Sequence, residues 1–215
     1  PLSPYAQKIK LALHYKGVPF TAEQPMVGSD TGVFATASPR GEVPVMCHDE
    51  IFLYDSAVIG AYIEERWPKP PLLPDAPIER AEVRLIENAM DTHFEGNTWG
   101  LGEVHIFARA TGREADRMRS YAAGQIQGWY RWLELRLETS NWFNGAAYGW
   151  GDICVVPFVN GAARFDILPP QDSKLATWLN RVNAREDVSA VTAAAQTAEL
   201  DPEIMRAAIE GGFKR

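Results

Sequence analysis

Cysteine is scarce in this sequence: 215 residues carry only Cys47 and Cys154. Two cysteines cannot build a disulfide framework, and their spacing fits no metal-ligand pattern. Both sit in apolar runs, Val45-Met46-Cys47 and Ile153-Cys154-Val155-Val156, where a free cysteine acts as a small buried hydrophobe. They read as reduced thiols in a reducing compartment, the cytoplasm, with a single disulfide between them as the alternative. The histidines His14, His48, His93 and His105 form no H-x-x-x-H pair, so no metal centre is expected. No apolar run approaches the roughly 20 residues of a membrane span, and no basic-then-apolar segment opens the chain. Positive charge is not in excess either. The formal net charge is -7 and is spread along the chain, which argues against nucleic acid or an anionic membrane as partner. The chain opens on Pro1 rather than methionine, and we read it as lacking a few N-terminal residues of the natural protein.

What is present suits a soluble globular protein. Hydrophobic residues make up 46% and charged residues 23%, enough for a sizeable core under an ordinary surface. The sharpest change in composition is Pro68-Lys69-Pro70-Pro71-Leu72-Leu73-Pro74-Asp75-Ala76-Pro77. Five prolines in ten residues cannot form a helix interior or a central strand, and such a stretch is a semi-rigid linker. Residues 1–67 mix helix and strand signals, whereas residues 78–215 are nearly all helical in pattern.

In the first part, residues 5–16 read as a helix with Ile9 and Leu13 on one face and Lys8 and Lys10 pointing outward, stopped by Gly17. Residues 20–26 alternate loosely and are expected to form a strand. The apolar runs 43–47 and 51–53, separated by His48-Asp49-Glu50, predict a tight β-hairpin. Asp55-Ser56 then caps a helix running to about Trp67, with Val58, Ile59, Tyr62 and Ile63 on its apolar face. In the second part, helices are expected over about 78–99, 114–139, 152–165, 175–184 and 188–198. Of these, the span 152–165 is too apolar throughout for a surface helix and reads as a buried central one.

Four places could carry chemistry, and each also has a purely structural reading. Ser3-Pro4 is a favoured helix start, serine at the N-cap and proline next. The same position suits an anion, and a thiolate held there would gain from the helix dipole and from the serine hydroxyl. Val43-Pro44 at the start of a strand marks an edge if trans, the commoner form, whereas a cis bond would open the Val43 backbone to an extended peptide ligand. Asp55-Ser56 is a helix cap that could equally hold the ammonium and carboxylate of one ligand carbon. Asp152, in Gly149-Trp150-Gly151-Asp152, opposes the dipole of the apolar helix, a folding role. The aromatic-rich stretch with His93, Phe94, Trp99, His105 and Phe107 belongs either to the core or to an apolar pocket.

The order of these elements is more specific than any one of them. Ser3-Pro4-Tyr5-Ala6-Gln7-Lys8-Ile9-Lys10, then Pro39-Arg40-Gly41-Glu42-Val43-Pro44-Val45, then Leu53-Tyr54-Asp55-Ser56, followed by the proline-rich linker and Gly151-Asp152-Ile153, resembles the cytosolic glutathione transferase superfamily over nearly the whole chain. The resemblance implies an α/β thioredoxin-like N-terminal domain (1–67), the linker (68–77) and an all-α C-terminal domain (78–215) that contributes the pocket for a hydrophobic electrophile. It implies glutathione as co-substrate in the cleft between the domains, and a homodimer. Ser3 matches the catalytic serine or cysteine of the superfamily, the serine-type form, with β-etherase-like members among the subclasses left open. Val43 and Pro44 match the cis-proline element that pairs with the cysteinyl backbone of glutathione. Asp55 and Ser56 match the pair that holds its γ-glutamyl end, and Arg40 is the candidate for its glycyl carboxylate. Three departures stand out: the strand expected ahead of Ser3 is not in the sequence, the serine or threonine of the capping box is replaced by Gly149, and the glycyl-binding base is not evident beyond Arg40. Conjugation, ether cleavage, isomerisation and peroxide reduction all fit the implied thiolate, and a non-catalytic binding or assembly module is the reading from a different class.

Overall fold

The computed structural model describes residues 2–23, 33–39 and 41–197. Helix α1 (Pro4–Tyr15) starts where Ser3 caps it and ends at Gly17, which adopts a φ of +65°. A five-residue helix α2 (Val33–Ala37) follows, which the sequence pattern did not reveal. Strands β1 (Val45–His48) and β2 (Ile51–Tyr54) pair antiparallel, with Val45 opposite Tyr54 and His48 opposite Ile51. Asp49 and Glu50 both take positive φ, 49° and 67°, the backbone a two-residue hairpin turn of this twist requires. Helix α3 (Ser56–Arg66) leads into the linker.

Residues 20–23 correct one expectation. They are exposed and belong to no strand, while residues 24–26 of the same expected strand lie outside the described residues. A strand needs a ladder partner, and Phe20 instead lies edge-on against His14, ring centroids 5.1 Å apart.

The second part is all helix: α4 (Pro77–Asn88), a π-helical turn (Ala89–Phe94), α5 (Glu95–His105), α6 (Gly112–Arg136), α7 (Trp150–Ala163), α8 (Lys174–Asn183) and α9 (Glu186–Thr197). The single helix expected over 78–99 is thus three continuous pieces with a π-turn in the middle. The chain therefore pairs an α/β thioredoxin-like first part with an all-α second part. Every residue from Trp150 to Val159 is buried, so α7 is the central helix its composition implied. It packs against α1 from the first part and against α4, α5 and α8, joining the two parts through one continuous apolar core.

The start of the linker is held by two side chains, and its end by Arg80, which donates to the carbonyls of Pro74 and Asp75. Lys16, at the end of α1, donates its ammonium to the carbonyls of Trp67 and Pro70 at 2.5 and 2.8 Å and meets Glu64 at 2.6 Å. Glu64 in turn accepts the amides of Leu72 and Leu73 at 3.0 and 3.2 Å. Proline leaves carbonyls without matching amides nearby, and one cation with one carboxylate from α1 and α3 satisfies the start of the segment.

Lys8 corrects a second expectation. It does not point outward: its side chain is fully buried, against Glu87 and Asp91 of the second part. Cys47 corrects a third, since it is exposed on β1 while Cys154 is buried, and both are free thiols. Val58 likewise leaves the apolar face of α3, with more than half its surface exposed, while Ile59 and Ile63 are fully buried.

Candidate functional site

Helices α1 and α3 run side by side in the same direction, because Lys16 at the last turn of α1 bonds to Glu64 and Trp67 at the last turn of α3. Their N-caps, Ser3 and Asp55, therefore stand at the same end. The hairpin brings Pro44 there too: Val45 faces Tyr54 across the ladder, so the residues just outside the pair, Pro44 and Asp55, are neighbours. Ser3, Val43, Pro44, Asp55 and Ser56 thus gather at one end of the first part. Arg40 lies outside the described residues.

The Ser3 hydroxyl accepts the Ala6 amide at 3.3 Å, and its φ and ψ are extended, as an N-cap requires. A hydroxyl carries one donor and two acceptor sites. Capping uses an acceptor, so the Ser3 proton is still available to a second group. Asp55 accepts the amides of Ala57 and Val58 at 3.0 and 3.4 Å. Its φ of 72° is in the left-handed region, which costs a non-glycine residue about 1–3 kcal/mol and recurs at ligand clamps. Ser56 follows at the first helical position and is buried. The Val43–Pro44 peptide bond is cis, as is Lys69–Pro70. Each of these helix N-termini favours negative charge, a thiolate or a carboxylate.

The sequence reading missed Ser38. This buried serine accepts the Glu42 amide and donates to the Glu42 carbonyl, both at 2.9 Å, which fixes the chain just ahead of Val43. Serine followed by proline was the only signal, and it marks any turn.

The opposite wall comes from the π-turn. Tyr5 donates its hydroxyl to the Asp91 carbonyl at 2.6 Å. Lys8 sits 2.7 and 2.9 Å from the Asp91 carboxylate oxygens and 3.1 Å from Glu87. The Trp150 indole donates to the other Glu87 oxygen at 2.9 Å. Burial, only partly offset by Lys8, pushes the Asp91 carboxyl up to about 6. Burial also raises Glu95, with the Asp91 charge adding to it. Tyr5 is raised first by burial and then by the charges of Glu95 and Asp91, with Lys8 opposing them.

Of the aromatic stretch, Phe94 belongs to the core, and His93, Trp99, His105 and Phe107 are exposed or half-buried. Phe94 is fully buried against Tyr130 and Phe158. His93 stacks on Trp129 at 5.5 Å and 14°, and His105 lies against Phe165. Trp99 is 47% exposed and pairs with Phe107 at 6.0 Å. A shallow depression of about 360 Å³ between the ends of α6 and α8, lined by Ser140, Asn141, Lys174, Trp178 and Arg181 among others, shares no residue with the gathered site. Among the described residues no group of three histidine, cysteine, aspartate or glutamate side chains is placed to hold a metal ion, and no helix is long and apolar enough to cross a membrane.

Asp152 performs the folding role expected of it. Its carboxylate is fully buried and accepts the Phe143 amide at 3.0 Å, the Gly149 amide at 3.1 Å and the Trp178 indole at 2.7 Å. Burial, opposed by these bonds, pushes it up to about 6. The departure at Gly149 has a steric cause: a Cβ there would lie 2.3 Å from the Asn144 amide nitrogen and 2.5 Å from the Leu72 carbonyl oxygen.

Comparison with known proteins bears on the family and the fold. Residues 1–71 match the family described as "Glutathione S-transferase, N-terminal domain". FtsZ-localized protein A of Caulobacter vibrioides is 26% identical over 203 residues, spanning 86% of this chain and 85% of that protein. Glutathione S-transferase U2 of Arabidopsis thaliana is 26% identical over 196 residues, spanning 87% and 83%. A glutathione S-transferase of Methylobacterium radiotolerans, solved in complex with glutathione sulfonate, superposes with a TM-score of 0.74 at 26% identity over 93% of this chain and 94% of that one. The matched first domain, the full-length relatives and the shared fold together support placing this chain in the glutathione transferase superfamily.

Proposed function

We propose that this chain is a serine-type glutathione transferase. Glutathione lies along the end of the first part, its γ-glutamyl group on Asp55 and Ser56, its cysteinyl backbone against Val43 and Pro44, and its glycyl carboxylate towards Arg40. Ser3 donates its free proton to the sulfur, which lowers the thiol pKa and orients the thiolate. The second part holds a hydrophobic electrophile nearby, and proximity supplies much of the acceleration. The sulfur then attacks, releasing a leaving group in a conjugation or an ether cleavage. The observation behind the reading is a pair of capped helices, α1 with Ser3 and α3 with Asp55, whose last turns are tied by Lys16, with Pro44 next to Asp55 in the register of the hairpin.

The test is a titration with glutathione across pH, reading heat of binding and thiolate absorbance together, for wild type and Ser3→Ala. A free cysteine-type thiol ionises near 8.5. Wild type should lower that value for the bound thiol, and Ser3→Ala should raise it again by about one unit, about 1.4 kcal/mol, with affinity little changed. A mutant that conjugates as fast as wild type would remove Ser3 from the mechanism.

A second reading has one observation behind it: a relative spanning most of the chain is named for localising with FtsZ rather than for a transfer reaction. On that reading the fold is a non-catalytic binding or assembly module, and the protein would bind no glutathione at millimolar concentration. We also propose a cytoplasmic homodimer, supported by Ile78 and Leu85, which lie seven residues apart on one face of α4 and are 70% and 62% exposed. Light scattering at the mass of a single chain would exclude the dimer.

A further inference from the structure

The π-turn between α4 and α5 is where the two parts of the chain lock together, and the locking groups come from the residues just after Ser3. In an α-helix the Glu95 amide would bond to the Asp91 carbonyl, four residues back. Here it bonds to the Met90 carbonyl, five residues back, and the Asp91 carbonyl receives the Tyr5 hydroxyl at 2.6 Å. The Asp91 side chain is held independently, by both of its oxygens on the buried Lys8 ammonium. One residue from α1 thus satisfies the carbonyl that the wider turn displaces, and a second, one turn further along, anchors the side chain of the same residue.

Register here has a directional consequence. One residue of slip rotates everything downstream by about 100°, the angle per residue of an α-helix. In the observed register Leu101 and Val104 of α5 point into the core while Trp99 stays 47% exposed. Whatever α5 presents to the cleft is therefore set by the turn that Tyr5 and Lys8 hold. π-Turns of this kind are rare and occur often at functional sites.

We propose that Tyr5 and Lys8 are positioning residues: through Asp91 they hold the π-register of Ala89–Phe94 and so fix the wall that α5 offers to the electrophile. Tyr5 and Lys8 act through the turn, on the Asp91 carbonyl and carboxylate and on Glu87. The positioning role rests on the transferase reading, whereas the register claim stands without it.

The experiment uses the full chain as wild type, Tyr5→Phe, Lys8→Met and Lys8→Arg, with two readouts. The first is amide hydrogen exchange over Ala89–His105. The second is steady-state conjugation of 1-chloro-2,4-dinitrobenzene alongside the Kd for glutathione. Tyr5→Phe removes one hydroxyl and leaves the ring on Phe158, 5.5 Å away, so the fold survives even if Lys8→Met does not. Exchange in the turn and the first part of α5 should accelerate about tenfold, the effect of one lost hydrogen bond near 1.4 kcal/mol, while α4 before it is unchanged. The KM for the electrophile should rise by a similar factor with the glutathione Kd held within about twofold, and Lys8→Arg should restore most of what Lys8→Met loses. Unchanged exchange in Tyr5→Phe overturns the register claim. Faster exchange with an unchanged electrophile KM overturns the positioning role. If wild type neither binds glutathione nor conjugates, the transferase reading and the positioning role fail together, and the exchange data still decide the register.

Discussion

Replacing Asp152 tests the central claim about how this fold is held. Its carboxylate satisfies three buried donors, the amides of Phe143 and Gly149 and the indole of Trp178. Asp152→Ala strands all three, and an unsatisfied buried donor costs about 1–3 kcal/mol. Allowing for some relaxation, the sum is about 3–6 kcal/mol, a large part of the 5–15 kcal/mol that holds an ordinary domain together. In urea, with a slope near 2 kcal/mol per molar, the midpoint should fall by about 2 M. Asp152→Asn should cost less, because its oxygen still accepts while its NH2 meets a donor. The pH dependence then separates charge from shape. Burial raises the native carboxyl from 3.8 to about 6, so on acidification the folded state takes up the proton first. Its contribution is full below about 4 and is lost as pH rises through about 6, a span of about 3 kcal/mol. The stability difference between wild type and Asp152→Asn should therefore widen as pH falls from 7 to 4. A midpoint shift below about 0.5 M for Asp152→Ala at an unchanged slope, or parallel pH profiles for wild type and Asp152→Asn, would refute the reasoning.

Two further outcomes follow from packing. Gly149→Ser, which restores the usual capping residue, should destabilise the protein by about 1–3 kcal/mol because the added Cβ meets the Leu72 carbonyl and Asn144; a gain in thermal midpoint would show that the loop yields. Lys16→Met should cost about 3–5 kcal/mol by leaving the Glu64 charge without its cation and the linker carbonyls of Trp67 and Pro70 without their donor, and thermal melts showing under 1 kcal/mol would mean water replaces the ammonium.

Most elements were legible because they depend on local chemistry. Ser3-Pro4 and Asp55 start helices wherever they occur, the alternation on either side of Asp49-Glu50 specifies a hairpin, and the unbroken apolar run after Trp150 can only be a buried helix. Lys8 was misread because its partners, Glu87 and Asp91, come from about eighty residues further along the chain; nothing beside it distinguishes it from Lys10. The π-turn was invisible for the same reason, since the bond that holds it comes from Tyr5. Whether Phe94 and Trp99 belong to the core or to a pocket was undecidable from spacing, and the fold sends one to the core and the other to the surface. The site itself was legible as a set of caps and a proline. What the sequence did not show is that α1 and α3 run parallel, which depends on Lys16 reaching Glu64.

The pairing of β1 with β2 has a consequence for where function resides. The turn at Asp49 and Glu50 lies about 10 Å along the ladder from Val45, three residue steps away, and touches nothing at the site. Yet it counts the residues that place Pro44 opposite Asp55. A slip of one position would send alternate side chains to the other face and part those two neighbours. Insertions or deletions in that turn would thus take apart the proposed site while leaving its own residues intact, and tolerance of the turn to point changes says nothing about its tolerance to changes in length.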